Sequence, residues 1–269
     1  MAARRTITGF SNPLVKFLRS LREKKHRRRE QRFLAEGLRL LTDAREAGIV
    51  PEILVMATGR EHHPLLDSLE QAVEAAGGDV VEMDSDILAK VTGKANPQAV
   101  AGVFAEFDIS LDRIDRNAAP IWLVAQALRD PGNLGTMLRT GDAVGAGGLI
   151  LIDDCADPFS VEAVRASMGA IFTQKLAIAR WDEFIAWLRS GQGQLVAASL
   201  REPTDYRKAP YTAPCFLMVG NESQGLPAEY EASCDLRVTI PMRGRADSLN
   251  AAVAGAVLAY EALAHLENS

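Results

Sequence analysis

Three polar segments of this sequence carry side chains that could bind and activate a ligand. The first, Asp130–Thr140 (DPGNLGTMLRT), places Pro, Gly and Asn ahead of a short helix that carries one Arg. The second is Val219–Pro227 (VGNESQGLP), and the third is Ile240–Asn250 (IPMRGRADSLN). A glycine-containing turn that leads into a helix presents backbone N–H groups, which favours a polar or anionic ligand.

Short apolar runs precede the three segments and predict the strands that position them. These runs are Ile121–Ala125, Phe216–Val219 and Arg237–Ile240. Helical segments alternate with strands through this half of the chain, which predicts a mostly parallel sheet covered on both faces. Ligands bind at the carboxyl ends of the strands in such a sheet. If the three strands are neighbours, the three loops converge on one site.

The pattern disfavours a dinucleotide or nucleoside triphosphate site. A dinucleotide fold needs GxGxxG directly after its first strand, whereas the first loop here has DPGNLG. The glycines of Gly141–Gly148 follow a helix, so they predict a helix C-cap and a turn. The sequence also has neither a Walker A motif nor a nucleophile elbow. Hydride transfer and NTP hydrolysis are therefore disfavoured.

Composition indicates an ordinary globular protein. The chain has 269 residues, of which 48% are hydrophobic and 24% charged. No apolar run approaches the ~20 residues of a membrane helix, so we predict no membrane association. Cys155, Cys215 and Cys234 lack metal-ligand spacing, which predicts reduced thiols, a cytoplasmic location and no metal. The N-terminus lacks the apolar core of a signal peptide, whereas an organelle presequence stays open.

Positive charge is concentrated near the N-terminus, although the formal net charge is −5. Residues 1–45 contain 13 Lys and Arg against 4 Asp and Glu, whereas the remainder contains 17 against 31. Seven of the eleven residues in Arg22–Arg32 are basic. Such a run matches phosphates electrostatically, so we predict contact by Arg27, Arg28, Arg29 and Arg32. A solvated helix face is the alternative interpretation of this run.

Together, the three segments resemble the motifs of the SpoU (TrmH-like) class of RNA ribose 2′-O-methyltransferases, within the SPOUT superfamily. Asn133–Thr140 is similar to the first motif, Val219–Pro227 to the second and Ile240–Ala254 to the third, in the family's order. The N-terminal stretches RFLAEGLRLL and NPQAVAGVF resemble the substrate-binding domain that is often fused to this catalytic domain. The resemblance covers most of the chain.

The resemblance implies an α/β fold with a deep trefoil knot in a C-terminal SPOUT domain. A smaller α/β domain, similar to ribosomal protein L30e, would precede it and bind the substrate. The expected division is a substrate-binding domain at 1–108, a linker at 109–119 and a methyltransferase domain at 120–269. The expected cofactor is S-adenosylmethionine, without a metal, and the expected substrate is rRNA or tRNA. The family also implies a homodimer formed through the C-terminal domain.

The resemblance further implies roles for individual residues. Polar side chains of the three motifs would surround the methyl donor and the ribose, and the predicted catalytic set is Asn133, Arg139, Glu222, Ser248 and Asn250. The predicted cofactor contacts, many through the backbone, are Leu200, Val219, Gly220, Asn221, Gly225, Ile240, Met242 and Leu249. Core packing is the alternative for Leu200, Val219 and Met242, and helix capping or a salt bridge is the alternative for Glu222.

Two roles stay open for Arg139. In one, Arg139 removes the proton of the 2′-hydroxyl, which requires a neutral form that is costly because a guanidinium is normally always charged. In the other, which we favour slightly, it holds an RNA phosphate and makes the proton easier to lose. A phosphate oxygen or water then takes that proton.

Two further functions are alternatives to ribose methylation. One is an RNA-binding protein that has the fold without activity, and the other is methylation of a base nitrogen. The intact polar residues of the three motifs argue against lost activity, and the SLN segment together with Arg139 favours ribose.

Overall fold

The computed structural model describes residues 5–94, 97–221 and 224–268. Its contacts divide the chain into two compact units. Unit 1 comprises the described residues up to Phe107 together with Asp157–Thr173. Unit 2 comprises Asp108–Ala156 together with the described residues from Gln174 onward. The functional division predicted from the sequence, at 1–108, 109–119 and 120–269, stays a prediction.

The elements of unit 1, numbered along the chain, form a mixed sheet with helices. The strands are β1 (Arg5–Ile7), β2 (Arg32–Glu36), β3 (Ile53–Ala57), β4 (Asp79–Met83) and β5 (Val100–Ala105). The helices are α1 (Pro13–Ser20), α2 (Lys24–Glu30), α3 (Leu38–Glu46), α4 (Pro64–Ala75), α5 (Ser85–Thr92), α7 (Val161–Ala166) and α8 (Ala170–Thr173). The strand order is β1-β4-β3-β5-β2, and β5 runs antiparallel to both of its neighbours.

Helix α1 shows how the sequence fixes the orientation of the basic N-terminal segment. Asn12 caps the helix by accepting a hydrogen bond from Leu14 N at 2.9 Å. Val15 and Leu18 lie on one helical face and are fully buried in the core of unit 1. Lys16 and Arg19 lie outside this buried stripe and are exposed. Burial of the apolar face therefore holds these two cations in solvent.

The elements of unit 2 alternate between strands and helices over most of its length. The strands are β6 (Ile121–Gln126), β7 (Gly148–Ile152), β8 (Lys175–Ala179), β9 (Gln194–Ala198), β10 (Thr204–Asp205), β11 (Cys215–Val219) and β12 (Leu236–Thr239). The helices are α6 (Pro131–Ala143), α9 (Trp181–Arg189), α10 (Ala228–Ala232) and α11 (Ala251–Glu267). Short 3-10 turns cover Leu111–Arg113 and Tyr206–Lys208.

All seven strands of unit 2 run parallel, which confirms the α/β class and the mostly parallel sheet. Their order is β10-β12-β9-β11-β6-β7-β8. Strands β6 and β11 are direct neighbours, with Ile121 opposite Cys215. Strand β12 is separated from β11 by β9. The first two motif strands are thus adjacent, whereas the third is adjacent only to β9 and the short β10.

The predicted linker, 109–119, lies within unit 2 and packs against its helix α9. Ile114 is buried, and the Arg116 guanidinium donates hydrogen bonds to the backbone carbonyls of Leu188 at 2.8 Å and Trp187 at 2.5 Å. The same guanidinium lies over the Trp187 ring at 4.1 Å. Carbonyls at a helix C-terminus lack partners within the helix, and Arg116 supplies hydrogen-bond donors to two such carbonyls at the end of α9.

Two helix starts differ from the sequence prediction. The first motif helix was expected from Leu134, whereas α6 begins at Pro131 because Asp130 accepts a hydrogen bond from Asn133 N at 2.7 Å. The last helix was expected from Ser248 with Asp247 as its cap. Instead Asn250 is the cap, since its side chain accepts from Ala252 N at 3.0 Å and Val253 N at 3.2 Å. Ser248 is thereby left in the loop.

The trefoil knot fits this parallel sheet but stays a prediction. No helix in the described ranges is long and apolar enough to cross a membrane.

Candidate active site

A cavity of about 510 Å³ opens where strands β9, β11 and β12 end. Its size lies within the range of small-molecule sites, roughly 300–1,000 Å³. The loops after these three strands and the start of α11 line it. Every residue predicted to contact the cofactor is among the lining residues: Leu200, Val219, Gly220, Asn221, Gly225, Ile240, Met242 and Leu249. Ser248 of the catalytic set lines it as well.

The cavity lining fits a molecule with both apolar and polar parts. Apolar side chains such as Leu226, Val238 and Leu258 form much of the wall. Polar residues such as Thr239 and Ser248 lie among them, and convergent polar groups of this kind fix the orientation of a bound ligand. S-adenosylmethionine, which combines a flat base with a polar ribose and amino-acid tail, fits this donor set. No cluster of His, Cys, Asp and Glu in the described ranges has the arrangement of a metal site.

The loop after β11 is a tight turn that approaches the cavity with its backbone. Gly225 N donates to Asn221 O at 2.8 Å, and Gly225 has a φ of +67°, a conformation that favours glycine. A Cβ on Gly220 would lie 2.6 Å from the carbonyl carbon of Gly225. The second motif therefore requires glycine at position 220 for this close approach of two backbone segments.

Hydrogen bonds connect the second motif to the chain ahead of the first. The Asn221 side chain donates from Nδ2 to the carbonyl of Ala127 at 3.1 Å. Ala127 lies directly after β6 and has a φ of +49°. Because β6 and β11 are neighbours, these two loops are adjacent at the carboxyl end of the sheet.

A side-chain hydrogen bond joins the first motif to the third. Asn250 Nδ2 donates to Asn133 Oδ1 at 2.9 Å, across 117 positions of sequence. Asn133 stands in the first turn of α6, and Asn250 caps α11. The starts of the two helices are thus held together, with two amide side chains at the junction. This contact places the predicted polar residues of two motifs side by side.

The remaining predicted catalytic residues have different surroundings. Arg139 is exposed on α6, and its side chain forms no ion pair with a residue that the structure describes. It is absent from the cavity lining, unlike Ser248. Glu222 falls outside the described residues. The structure therefore brings Asn133 together with Asn250, and Ser248 to the cavity, while Arg139 faces solvent.

The cavity lining also includes residues that the sequence analysis did not assign to a site, among them Ser199, Arg201 and Glu231. Ser199 and Arg201 follow β9, and Glu231 lies on α10. No local pattern indicated Glu231, because it lies outside all three motifs and only the folding of the chain brings it to Ser199.

Cys155 lies near the first motif but does not provide a nucleophile. Its thiol receives a hydrogen bond from Leu128 N at 3.3 Å. Burial raises the pKa of the Cys155 thiol to about 11. A thiolate is the reactive form of cysteine, so this thiol is protonated and inert near neutral pH.

The residues predicted to contact phosphates differ in exposure. The prediction for Arg27 assumed an exposed side chain, but Arg27 is only 2% exposed. Its guanidinium donates to Leu21 O at 2.8 Å and to Asp157 Oδ2 at 2.6 Å. Arg27 therefore has a structural role within unit 1, because a buried charge needs a partner and Asp157 provides it. Direct contact with a phosphate is therefore not supported for Arg27.

The other three members of that set lie at the surface. Arg32 pairs with Glu52 at 2.5 Å, and Arg29 pairs with Glu30 at 2.7 Å. Arg28 is exposed. Further cations of the same segment are exposed and form no ion pair with another described residue: Lys16, Arg19, Arg22, Lys24 and Lys25. The available positive charge of unit 1 therefore extends over α1 and the start of α2.

Comparisons with known proteins agree with this arrangement. The model of the SpoU rRNA Methylase family matches residues 120–260, and that of the MRM3-like substrate binding domain matches residues 12–102. The chain is 31% identical to the 23S rRNA (guanosine(2553)-2′-O)-methyltransferase RlmP of Bacillus subtilis, over 94% of this chain and 97% of that protein. It is 30% identical to the 23S rRNA (uridine(2479)-2′-O)-methyltransferase of Streptomyces viridochromogenes, over 97% and 92%.

A solved structure is similar over nearly the whole length. The AdoMet-bound rRNA methyltransferase from Sinorhizobium meliloti is 39% identical, with a TM-score of 0.90 over 97% of this chain and 98% of that one. Membership of one family explains these matches, and it also explains the ordered motifs, the parallel sheet and the lined cavity. The chain belongs to the SpoU family of RNA methylases, within the SPOUT superfamily.

Proposed function

We propose that this chain is an S-adenosylmethionine-dependent methyltransferase that modifies a ribose 2′-hydroxyl in ribosomal RNA. The observation that carries the proposal is the cavity lined by the second and third motifs, with the Asn133–Asn250 hydrogen bond tying the third motif to the first. The full-length relatives reported above are named as 23S rRNA 2′-O-methyltransferases, which supports the ribosomal substrate class.

The described residues have separate tasks in this reaction. The cofactor supplies a methyl group on a positively charged sulfur, which needs little further activation. The cavity lining orients that cofactor, while Asn133 and Asn250 lie where two helix starts meet and position the ribose. Alignment of the reacting atoms contributes several kcal/mol, up to about 7–11 in favourable cases. Exposed Arg139 remains available to an RNA phosphate near the target hydroxyl.

Methyl transfer from tritiated S-adenosylmethionine tests the function. The purified chain is incubated with total RNA from cells that lack its gene, and the product is digested to nucleosides. A 2′-O-methylated nucleoside in rRNA is the expected result. A base-methylated nucleoside would instead assign the base-nitrogen alternative, and RNA binding without incorporation would assign the inactive alternative.

We propose that RNA is held partly by the exposed cations of unit 1, including Arg28, Arg29 and the exposed face of α1. Lys16 and Arg19 line one surface cavity together with Arg22. Their side chains are exposed, and the apolar face of α1 fixes their direction. Arg27 and Arg32 support this surface through ion pairs with Asp157 and Glu52, whereas the pair of Arg29 with Glu30 leaves the Arg29 side chain 64% exposed.

Replacing Lys16 and Arg19 together by Gln should weaken RNA binding about tenfold near physiological salt. It should also reduce the slope of log K against log salt concentration by about 1–2, because each phosphate contact contributes about 0.7–0.9. Binding assays over a series of salt concentrations measure both effects.

The matched control is Arg39→Gln with Arg45→Gln, which removes two positive charges from α3 of the same unit. This control should leave the slope unchanged, and neither double variant should alter cofactor affinity. Equal slopes in the Lys16/Arg19 variant and the wild type would contradict RNA contact at this surface. A solvated helix face would then be its interpretation.

The homodimer through the C-terminal domain belongs to the same proposal. Val253 and Tyr260 are exposed apolar residues on α11, with side chains 47% and 55% exposed. They lie seven positions apart, hence on one helical face, which suits a second copy packed on that face. Sedimentation at micromolar concentration should give twice the chain mass, and a monomer would contradict the proposal. A cytoplasmic location is the expectation for such an enzyme.

A further inference from the structure

A carboxylate is buried in the wall of the cofactor cavity, at a position that no motif covers. Glu231 lines the cavity, yet its side chain is only 6% exposed. Asp247 is the only other acidic residue among the described lining residues, and it is exposed. Burial of a carboxylate costs free energy unless neighbouring groups pair with it, so Glu231 requires such partners.

Two neighbours compensate part of this cost. Ser199 Oγ donates to Glu231 Oε1 at 2.7 Å, within the buried interior. Arg201 Nε lies 3.1 Å from Glu231 Oε2, which is within ion-pair distance. Arg201 N donates to Ser199 Oγ at 2.9 Å, so the three residues form one connected cluster. The cluster joins the end of β9 to α10 along one wall of the cavity.

One atom of the cluster stays unsatisfied. Glu231 Oε2 is buried and accepts no hydrogen bond from any described residue, because Arg201 Nε is close but not directed at it. Arg201 is itself 60% exposed, so its charge is shared with solvent. Buried polar atoms in folded proteins almost always have a partner, and a donor on a bound ligand would supply one here.

We propose that Glu231, oriented by Ser199, accepts a hydrogen bond from the nucleoside half of bound S-adenosylmethionine. This inference rests on the proposed function, since it concerns the cofactor of that reaction. A neutral donor, either a ribose hydroxyl or the adenine amino group, suits this acceptor. The cationic ammonium of the methionine half suits it less, because the Arg201 guanidinium lies beside Oε2 and would repel it.

Isothermal titration of the ligand-free protein with S-adenosylhomocysteine and with 5′-methylthioadenosine tests the assignment. The second probe retains the nucleoside but lacks the amino-acid tail. Glu231→Gln should weaken binding of both probes by about 10-fold or more, because a hydrogen bond to a charged acceptor contributes roughly that factor. Loss confined to S-adenosylhomocysteine would place Glu231 at the amino-acid half and overturn the proposal.

Arg201→Met is the matched variant, since it removes the ion pair but keeps the carboxylate. If Glu231 only anchors Arg201, both substitutions should weaken binding equally, and that result overturns the proposal. The expected result is a loss of no more than about threefold for Arg201→Met. Thermal unfolding without ligand checks that each variant is folded.

Glu231→Asp provides a second measurement if Glu231→Gln does not fold, because it keeps the charge and withdraws the oxygen from the ligand. Glu231→Asp should also weaken the binding of both probes, and an unchanged affinity for either probe would overturn the inference. Failure of the wild-type protein to bind S-adenosylhomocysteine would instead contradict the proposed function. The two failures are therefore distinguishable.

Discussion

Replacing Arg139 by Ala should lower the methylation rate by about 10³-fold while leaving S-adenosylmethionine affinity within a few fold. The loss is large because a group that stabilises charge in the transition state contributes roughly 10²–10³ in rate. The affinity should persist because Arg139 does not line the cavity and faces solvent on α6. Single-turnover methylation and calorimetric titration of the cofactor measure the two quantities.

Arg113→Ala is the matched control for this experiment. Arg113 is another exposed arginine of unit 2, with a side chain 67% exposed, in the 3-10 turn that contacts β8. Strand β8 forms the edge of the sheet opposite β10 and β12. The control should keep wild-type activity. A cofactor affinity that falls more than tenfold in Arg139→Ala would contradict both roles proposed for Arg139.

A modified substrate separates the two roles of Arg139. An RNA with a neutral methylphosphonate next to the target ribose removes the negative charge that a phosphate-holding arginine would contact. If Arg139 holds that phosphate, the modification slows the wild type strongly and slows Arg139→Ala little further, because interacting groups are not additive. If Arg139 removes the proton, the rate loss caused by the methylphosphonate and the rate loss caused by Arg139→Ala should multiply.

Replacing Asn250 by Ser should lower the methylation rate by about 10²-fold with little change in stability. Ser caps a helix about as well as Asn does, so α11 keeps its N-cap. The shorter side chain cannot reach Asn133 Oδ1, which Asn250 contacts at 2.9 Å. Asn250→Ala removes the contact and the cap together, and should also lower the free energy of unfolding by about 1 kcal/mol.

Denaturant unfolding and methylation assays on these two variants separate the two tasks of Asn250. Asn133→Ala should reproduce the rate loss of Asn250→Ser, and combining the two should add little, because both remove the same hydrogen bond. Wild-type activity in Asn250→Ser with reduced activity in Asn250→Ala would assign Asn250 to helix capping alone.

Much of the cavity lining was predictable by resemblance because most of its residues lie in the second and third motifs. Leu200 lies outside the motifs, yet it lines the cavity with the others because β9 lies between β11 and β12. The apolar alternation of strands and helices predicted the parallel sheet within a residue or two at most strand ends. Helix starts were less predictable, since Asp130 and Asn250 each act as caps through side-chain geometry that several nearby polar residues could have provided.

The sequence alone predicted the class of fold and, through its resemblance to the SpoU family, the residues expected to surround a methyl donor. Local patterns suffice for the fold class because strand and helix periodicity and glycine turns are properties of neighbouring residues. Only the tertiary structure decided that Arg27 is buried against Asp157, that Asn133 meets Asn250, and that Glu231 faces the cavity. The physical reason is that burial and pairing depend on sheet order, which joins residues from distant parts of the chain.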